Sequence, residues 1–325
     1  MTDNTRPLKV VALGGGHGLA ASLSALRQIT EDLTAVVCVS DDGGSSGRLR
    51  EQFPVVPPGD LRMALAALCG DDEWGATWAR VLQHRFVSTG DLNGHALGNL
   101  LITALWQETG DVVKGLEWVG RLLGAQGRVL PVSLQPLEIF AQVQSADGKM
   151  RIVEGQVQVA STLDEIISIG LKPADPDACP QALEAVKTAD VVVLGPGSWF
   201  TSVLTHFQVP QMSQALHDTK AKRVLVLNLN AQTGETSSYS PENYLEVLAT
   251  QYPDFHLDWV IADPDHVQDE ATLRKVSAAV GADVFLAPVA DFTEFSDKHD
   301  VKALTSAFSS VFFRAGSTHG NDVSS

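Results

Sequence analysis

Cysteine is scarce in this chain of 325 residues: only Cys38, Cys69 and Cys179 occur. They lie far apart with no CxxC pair, which excludes zinc-ribbon and thioredoxin-type chemistry and fits a reducing compartment. Basic charge is also short. The 23 Lys and Arg face 39 Asp and Glu, a formal net charge of −16. Nucleic-acid and anionic-membrane binders rely on clustered Lys and Arg, so no nucleic-acid partner is expected. No uncharged apolar run is long enough to span a bilayer, so no membrane insertion is expected. The opening MTDNTRPLKVVALGGG has no apolar core of a signal peptide, and a cytoplasmic protein is expected. No Walker Gly-Lys-Ser/Thr, GxSxG elbow, HExxH helix or internal repeat is present.

What remains is an ordinary globular composition, 44% hydrophobic and 19% charged, with enough chain for one large core. LKVVAL (residues 8–13) and LTAVVCVS (33–40) read as buried strands flanking a helical LAASLSALRQI. That is a βαβ unit and implies a parallel sheet. A helix is predicted from about Asp60, and two more over GHALGNLLITALWQETG and DVVKGLEWVGRLLG. The middle, near 128–173, turns to extended segments with an Asp147-Gly148 turn signal. Strand–helix alternation then returns through DVVVLGPGS, KRVLVLNLN, LDWVIADP and VFLAPV. The expected fold is α/β: a Rossmann-like, mostly parallel sheet with helices on both faces and a small inserted β-hairpin and helical region. A single domain over 1–315 is expected, with a disordered tail at 316–325.

In open α/β sheets, ligands sit beyond the carboxyl ends of the strands. Four polar loops are candidates. GGGHG offers Gly14, Gly15, Gly16, His17 and Gly18 between a strand and a helix start, where free N–H groups favour phosphate. DDGGSSG follows the second strand with Asp41, Asp42, Gly43, Gly44 and Ser45. A carboxylate pair there suits Mg²⁺ against a diphosphate, a sugar hydroxyl, or a base. Asp42 is the expected ligand-side and metal residue, with the other acid bracing the loop. His95 and Asn99 stand four apart, on one face of a helix starting near Gly94. Gly195-Pro196-Gly197 ends a strand as a rigid turn, and Ser198, Thr201 and Ser202 follow with hydroxyls. NLNAQTGET closes a later strand, adding Asn230 and Gln232. His84, His206, His256 and His266 read as structural.

DDGGSSGRLR, PPGDLR, GHALGNLL, GPGS and QTGET together resemble the gluconeogenesis-factor family, bacterial proteins required for cell shape on gluconeogenic carbon. That family shares its fold with 2-phospho-L-lactate transferase. The resemblance covers about residues 8–250. It implies binding of uridine-diphosphate sugars such as UDP-N-acetylglucosamine, and it adds Asp60 and Arg62 of the GD-x-R element to the candidate site. The chain departs from the family's pattern at His17, where Thr is usual, and at Trp199-Phe200, Ala231 and Thr233. The first bears on phosphate contacts, and the others bear on the base or sugar pocket.

Two readings stand. One is a nucleotide-sugar-binding regulator without turnover. The other is a metal-dependent phosphoryl or phospholactyl transferase, with Asp41 and Asp42 as candidate catalytic acids. Mg²⁺ is the one cofactor to consider. No flavin or NAD is expected, because no hydride-transfer constellation is visible. The expected assembly is a homodimer.

Overall fold

A computed structural model describes residues 6–291 and 298–314. The tail expected at 316–325 lies outside them. Among the described residues ten strands are formed: β1 (Val10–Gly14), β2 (Leu33–Val37), β3 (Arg128–Pro131), β4 (Glu138–Gln144), β5 (Met150–Glu154), β6 (Glu165–Lys172), β7 (Val191–Leu194), β8 (Lys222–Val226), β9 (Trp259–Ala262) and β10 (Asp283–Leu286). Seven make one sheet in the order β10-β9-β8-β7-β1-β2-β3. Every pairing in it is parallel.

The central strands β1, β2 and β7 are buried along their whole length, as strands covered on both faces must be. Their Val and Leu side chains each contribute about 1.5–3 kcal/mol by leaving water. The helix Gly16–Leu26 turns Leu19, Leu23 and Leu26 onto this core and packs beside the helices Gly59–Ala67 and Val301–Phe312. The chain runs outward from β1 in both directions, so right-handed crossovers put helices on both faces. The strand order reverses between β1 and β7. Ligands of such sheets bind at that switch point.

β4, β5 and β6 form a separate antiparallel sheet in the order β5-β4-β6. The Asp147-Gly148 turn closes its hairpin, with Ser145 and Lys149 paired across it. The expected insertion included the RVLPVS segment. Its strand β3 instead joins the edge of the parallel sheet, pairing with β2, so the inserted sheet spans Glu138–Lys172. Three buried residues, Val129, Leu130 and Val132, explain the placement: they fit a covered edge better than a solvated hairpin. Among the described residues, no helix is long and apolar enough to cross a membrane.

Candidate functional site

Three of the four loops converge at the β1/β7 switch point. A methyl group on Gly18 would stand 2.2 Å from the Pro196 carbonyl oxygen, so the first helix can rest on the Gly195-Pro196-Gly197 turn only as glycine. Gly14 and Gly15 are buried beneath. Gly16 has φ +59° and Gly44 has φ +48°, and nothing lies within 4 Å of a side chain placed on either. Both therefore adopt a left-handed backbone that faces open space, and each opens a helix, Gly16–Leu26 and Gly44–Gln52. Neither residue before these helices carries a capping side chain; the Gly16 N–H goes to Asp60, and the other N–H groups of the first turns and the positive dipole ends are presented to the crevice. His17 is exposed beside them.

The acidic loop divides in two. Asp41 Oδ1 accepts the Gly43 N–H at 2.9 Å, and Oδ2 lies 2.6 Å from where a Cβ on Gly59 would stand. Asp60 is next along, its Oδ2 2.5 Å from the corresponding point on Gly15 and close to Ser202 Oγ. Asp41 and Asp60 are thus neighbours on the crevice. The Asp60 carboxyl is pushed up to about 7, by burial first and by the Asp41 charge second, against the Gly16 N–H and Arg62. Asp42 points elsewhere. Its two oxygens accept the N–H groups of Gln156 and Val157, each at 3.0 Å, at the start of the short helix Gln156–Ala160. The expectation that Asp42 faces the ligand and holds the metal is therefore corrected. Its lone pairs hold the inserted sheet's helix, and Asp41 takes the crevice side. Asp41 and Asp60 are the carboxylates that suit Mg²⁺. Among the described residues no cluster of three or more metal-ligating side chains occurs, so phosphate oxygens or water would complete such a shell.

Behind Gly44, Ser45 is buried and forms a hub. Its Oγ accepts the Ala96 N–H at 3.3 Å and Asn99 Nδ2 at 3.0 Å, and lies 3.0 Å from His95 Nδ1. With two donors already on the oxygen, its own proton goes to Nδ1, which leaves His95 neutral with its proton on Nε2. Burial, and then Arg48, lower the His95 pKa, in agreement with that form. His95 and Asn99 meet through Ser45 rather than along one helix face, because the helix begins only at Leu97. Beside them Arg62 is 4% exposed, and its Nε and Nη1 have no hydrogen-bond partner.

On the β7 side, Asn228 clamps Gly197 with two reciprocal bonds, Gly197 N to Oδ1 at 2.8 Å and Nδ2 to the Gly197 carbonyl at 2.9 Å. Residues Trp199–Val203 follow as one π-helical turn, and Ser198 does not cap it through its side chain. Under that turn Glu235 is buried and accepts the Phe200 N–H at 3.3 Å. Burial raises its carboxyl to about 7, while Thr201 and backbone N–H groups oppose the rise. Trp199 and Phe200 pack edge-on against Tyr244 and Tyr239. Both residues are buried under the turn, and Trp199 also borders a small cleft with Gly195, Gly197, Asn228 and Tyr244.

Asn230 and Gln232 have partners away from the β1/β7 turns. Asn230 is exposed and faces His266 Nδ1 at 3.2 Å. Gln232 donates its backbone N–H to Thr236 Oγ1. Asn228 and Glu235 were missed as individual site residues, although both lie in the NLNAQTGET segment. Asn228 stands two residues beyond the last residue of β8, a position that could have marked it; buried Glu235 carried no such signal. A separate cavity of about 440 Å³ lies between the helix Gly44–Gln52 and the inserted sheet. Several of its charges have protein partners: Lys172 with Glu154 at 2.7 Å, Arg50 Nη1 with the Asp41 carbonyl at 3.2 Å, and Asp42 as above, whereas Glu51 is exposed.

The profile described as 2-phospho-L-lactate transferase CofD matches residues 10–300. The chain belongs to that family. Within it, the chain is 50% identical over 296 residues to a gluconeogenesis-factor relative from Mycobacterium tuberculosis, covering 89% of this chain and 85% of that one. It is 34% identical over 262 residues to the gluconeogenesis factor of Bacillus subtilis, covering 81% and 80%. The fold is also that of a UPF0052-family protein from Bacillus halodurans solved by crystallography, with TM-score 0.83, 30% identity, and coverage of 94% and 99%.

Proposed function

We propose that this protein binds a nucleotide diphosphate sugar of the UDP-N-acetylglucosamine type at the β1/β7 switch point. It acts in the cytoplasm as a regulatory factor that couples nucleotide-sugar supply to cell-wall synthesis and cell shape during gluconeogenic growth. One observation carries the reading: two helix starts without a capping side chain at the preceding residue, each opened by a left-handed glycine facing empty space, stand on the crevice. Backbone N–H groups so arranged suit a diphosphate. The resemblance to the gluconeogenesis factors supports the uridine sugar and the regulatory role.

The adjacent carboxylates Asp41 and Asp60 favour a second reading, metal-dependent phosphoryl transfer. Mg²⁺ bound there would supply Lewis-acid stabilisation of phosphate oxygens, and Asp60, poised near neutrality, would hold or release a proton at its Oδ2.

A thermal-shift panel of uridine, guanosine and adenine diphosphates and their sugar derivatives tests the first reading. A ligand at a hundred times its Kd adds about 2.7 kcal/mol of stability. Stabilisation by the uridine-diphosphate sugar is expected, and none by any nucleotide contradicts the reading. Turnover of a guanylylated phospholactate with a deazaflavin acceptor would favour the second.

A further inference from the structure

Three arginines surround the His95 corner, and they differ. Arg48 donates to the carbonyls of Asp91 at 3.2 Å and Asn93 at 2.8 Å. Arg85 donates to the Gly94 carbonyl at 2.9 Å. Both hold the loop that precedes His95. Arg62 is the most enclosed of the three, yet its Nε and Nη1 have no partner, and the Oδ1 of Asn99, the residue after the Gly98 that Arg62 packs against, is likewise buried without one. The fold makes room for this arginine: a methyl on Gly98 would stand 2.7 Å from Arg62 Cγ and 2.9 Å from Cδ. A buried guanidinium without a hydrogen-bond partner is costly, and a fork of parallel N–H donors is complementary to a planar carboxylate. The local field agrees. Burial and the neighbouring Arg85 lower the Arg62 pKa, ahead of the opposing pull of Asp60 and Asp41, so an added negative charge is welcome at this corner. Because Asp41 and Asp60 stand close, a singly charged carboxylate is favoured over a phosphate dianion.

We propose that Arg62 and Asn99 form a second anion subsite, separate from the diphosphate-binding turns, that receives a carboxylate carried on the sugar of the nucleotide ligand. This rests on the reading that the crevice binds a nucleotide diphosphate sugar. Among nucleotide sugars that share the diphosphate site, one with an acidic sugar is then bound more tightly than its neutral counterpart. Arg62 would take the carboxylate, and Asn99 Oδ1 would accept from a neighbouring hydroxyl or N–H.

UDP-glucuronate and UDP-glucose form the matched pair, differing only in a carboxylate against a hydroxymethyl group at C6. Calorimetric titration of the intact protein with each should give about tenfold or greater preference for UDP-glucuronate, the ratio that a charge-assisted hydrogen bond supports. Arg62→Met should remove that preference, lowering UDP-glucuronate affinity about tenfold more than UDP-glucose affinity. Arg62→Lys should restore part of it, through charge without the fork. Equal wild-type affinities for the two sugars overturn the subsite while leaving the nucleotide-sugar reading intact, and this arm needs no variant to fold. An equal loss of both ligands in Arg62→Met also overturns it, placing Arg62 on the diphosphate. Failure of both ligands to bind wild-type protein overturns the nucleotide-sugar reading, and the subsite with it.

Discussion

The two sides of the crevice are built differently. On the β7 side, backbone is held by side chains: Asn228 grips Gly197 from both ends, and Glu235 sits under the π-helical turn. On the β1/β2 side, charge is held without full satisfaction. Asp60 is crowded against Asp41, and Arg62 is enclosed without a hydrogen-bond partner. A fold can afford unpaired buried charge only where something else pairs it. The comparison teaches that the late turn is a fixed wall and that the early loops carry the recognition chemistry.

The largest effect expected is at the contact between the two sides. Gly18→Val would drive a branched side chain into the Pro196 carbonyl and should cost about 3 kcal/mol of stability, read by urea denaturation. Gly16→Val meets no atoms. It should cost only about 1–2 kcal/mol for its left-handed backbone while abolishing nucleotide affinity. If the two variants lost stability equally and both kept binding, the distinction between wall and recognition surface would be broken.

Asp42 and Asp41 sharpen the same contrast within one loop. Asp42→Asn leaves a single acceptor for two backbone N–H groups and should cost about 2 kcal/mol of stability, with little change in ligand affinity once folded. Asp41→Asn should do the reverse and change any Mg²⁺ dependence of binding. Calorimetric titration beside denaturation separates them.

How much of this was legible before the structure divides along similar lines. The strands β1, β2 and β7–β9 announce themselves as β-branched runs, and the glycine turns follow from where those runs stop. The helix Gly44–Gln52 was not legible, since GSSGRLREQ has almost no apolar face for periodicity to show. The order of Asp41 and Asp42 was hidden as well. Adjacent loop residues point in different directions, and the partner that claims Asp42 is 114 residues away. The roles of Asn228 and Asn230 separate for the same reason: the first turns back to Gly197, and the second turns out to His266.

A smaller effect is expected from pH. The folded protein keeps the Asp60 proton up to about pH 7, whereas the unfolded chain loses it near pH 4. Stability is therefore greatest in acid from this group, and it falls as pH rises from about 4 through 7. Glu235 acts in the same direction. Asp60→Asn should flatten that slope in part. Metal-free nucleotide binding should also weaken as pH passes 7, when Asp60 ionises beside Asp41, and Mg²⁺ should offset the loss. A wild-type affinity that is level from pH 6 to 8 without metal would contradict this.

The smallest effect is expected at Ser198. Its side chain does not cap the following turn, so Ser198→Ala should leave the melting temperature of the ligand-free protein unchanged. Nucleotide-sugar affinity should fall by about 1 kcal/mol. A lower melting temperature with unchanged affinity would return Ser198 to a structural role.

Amide hydrogen exchange with and without saturating UDP-N-acetylglucosamine tests the central claim most directly, because it reports where the ligand sits. Exchange is expected to slow across residues 14–18, 41–47 and 195–202, with little change in the inserted sheet at 138–172. Protection confined to that sheet and the neighbouring helix end would place the ligand in the 440 Å³ cavity and contradict the assignment of the β1/β7 crevice. No protection anywhere would contradict nucleotide-sugar binding itself.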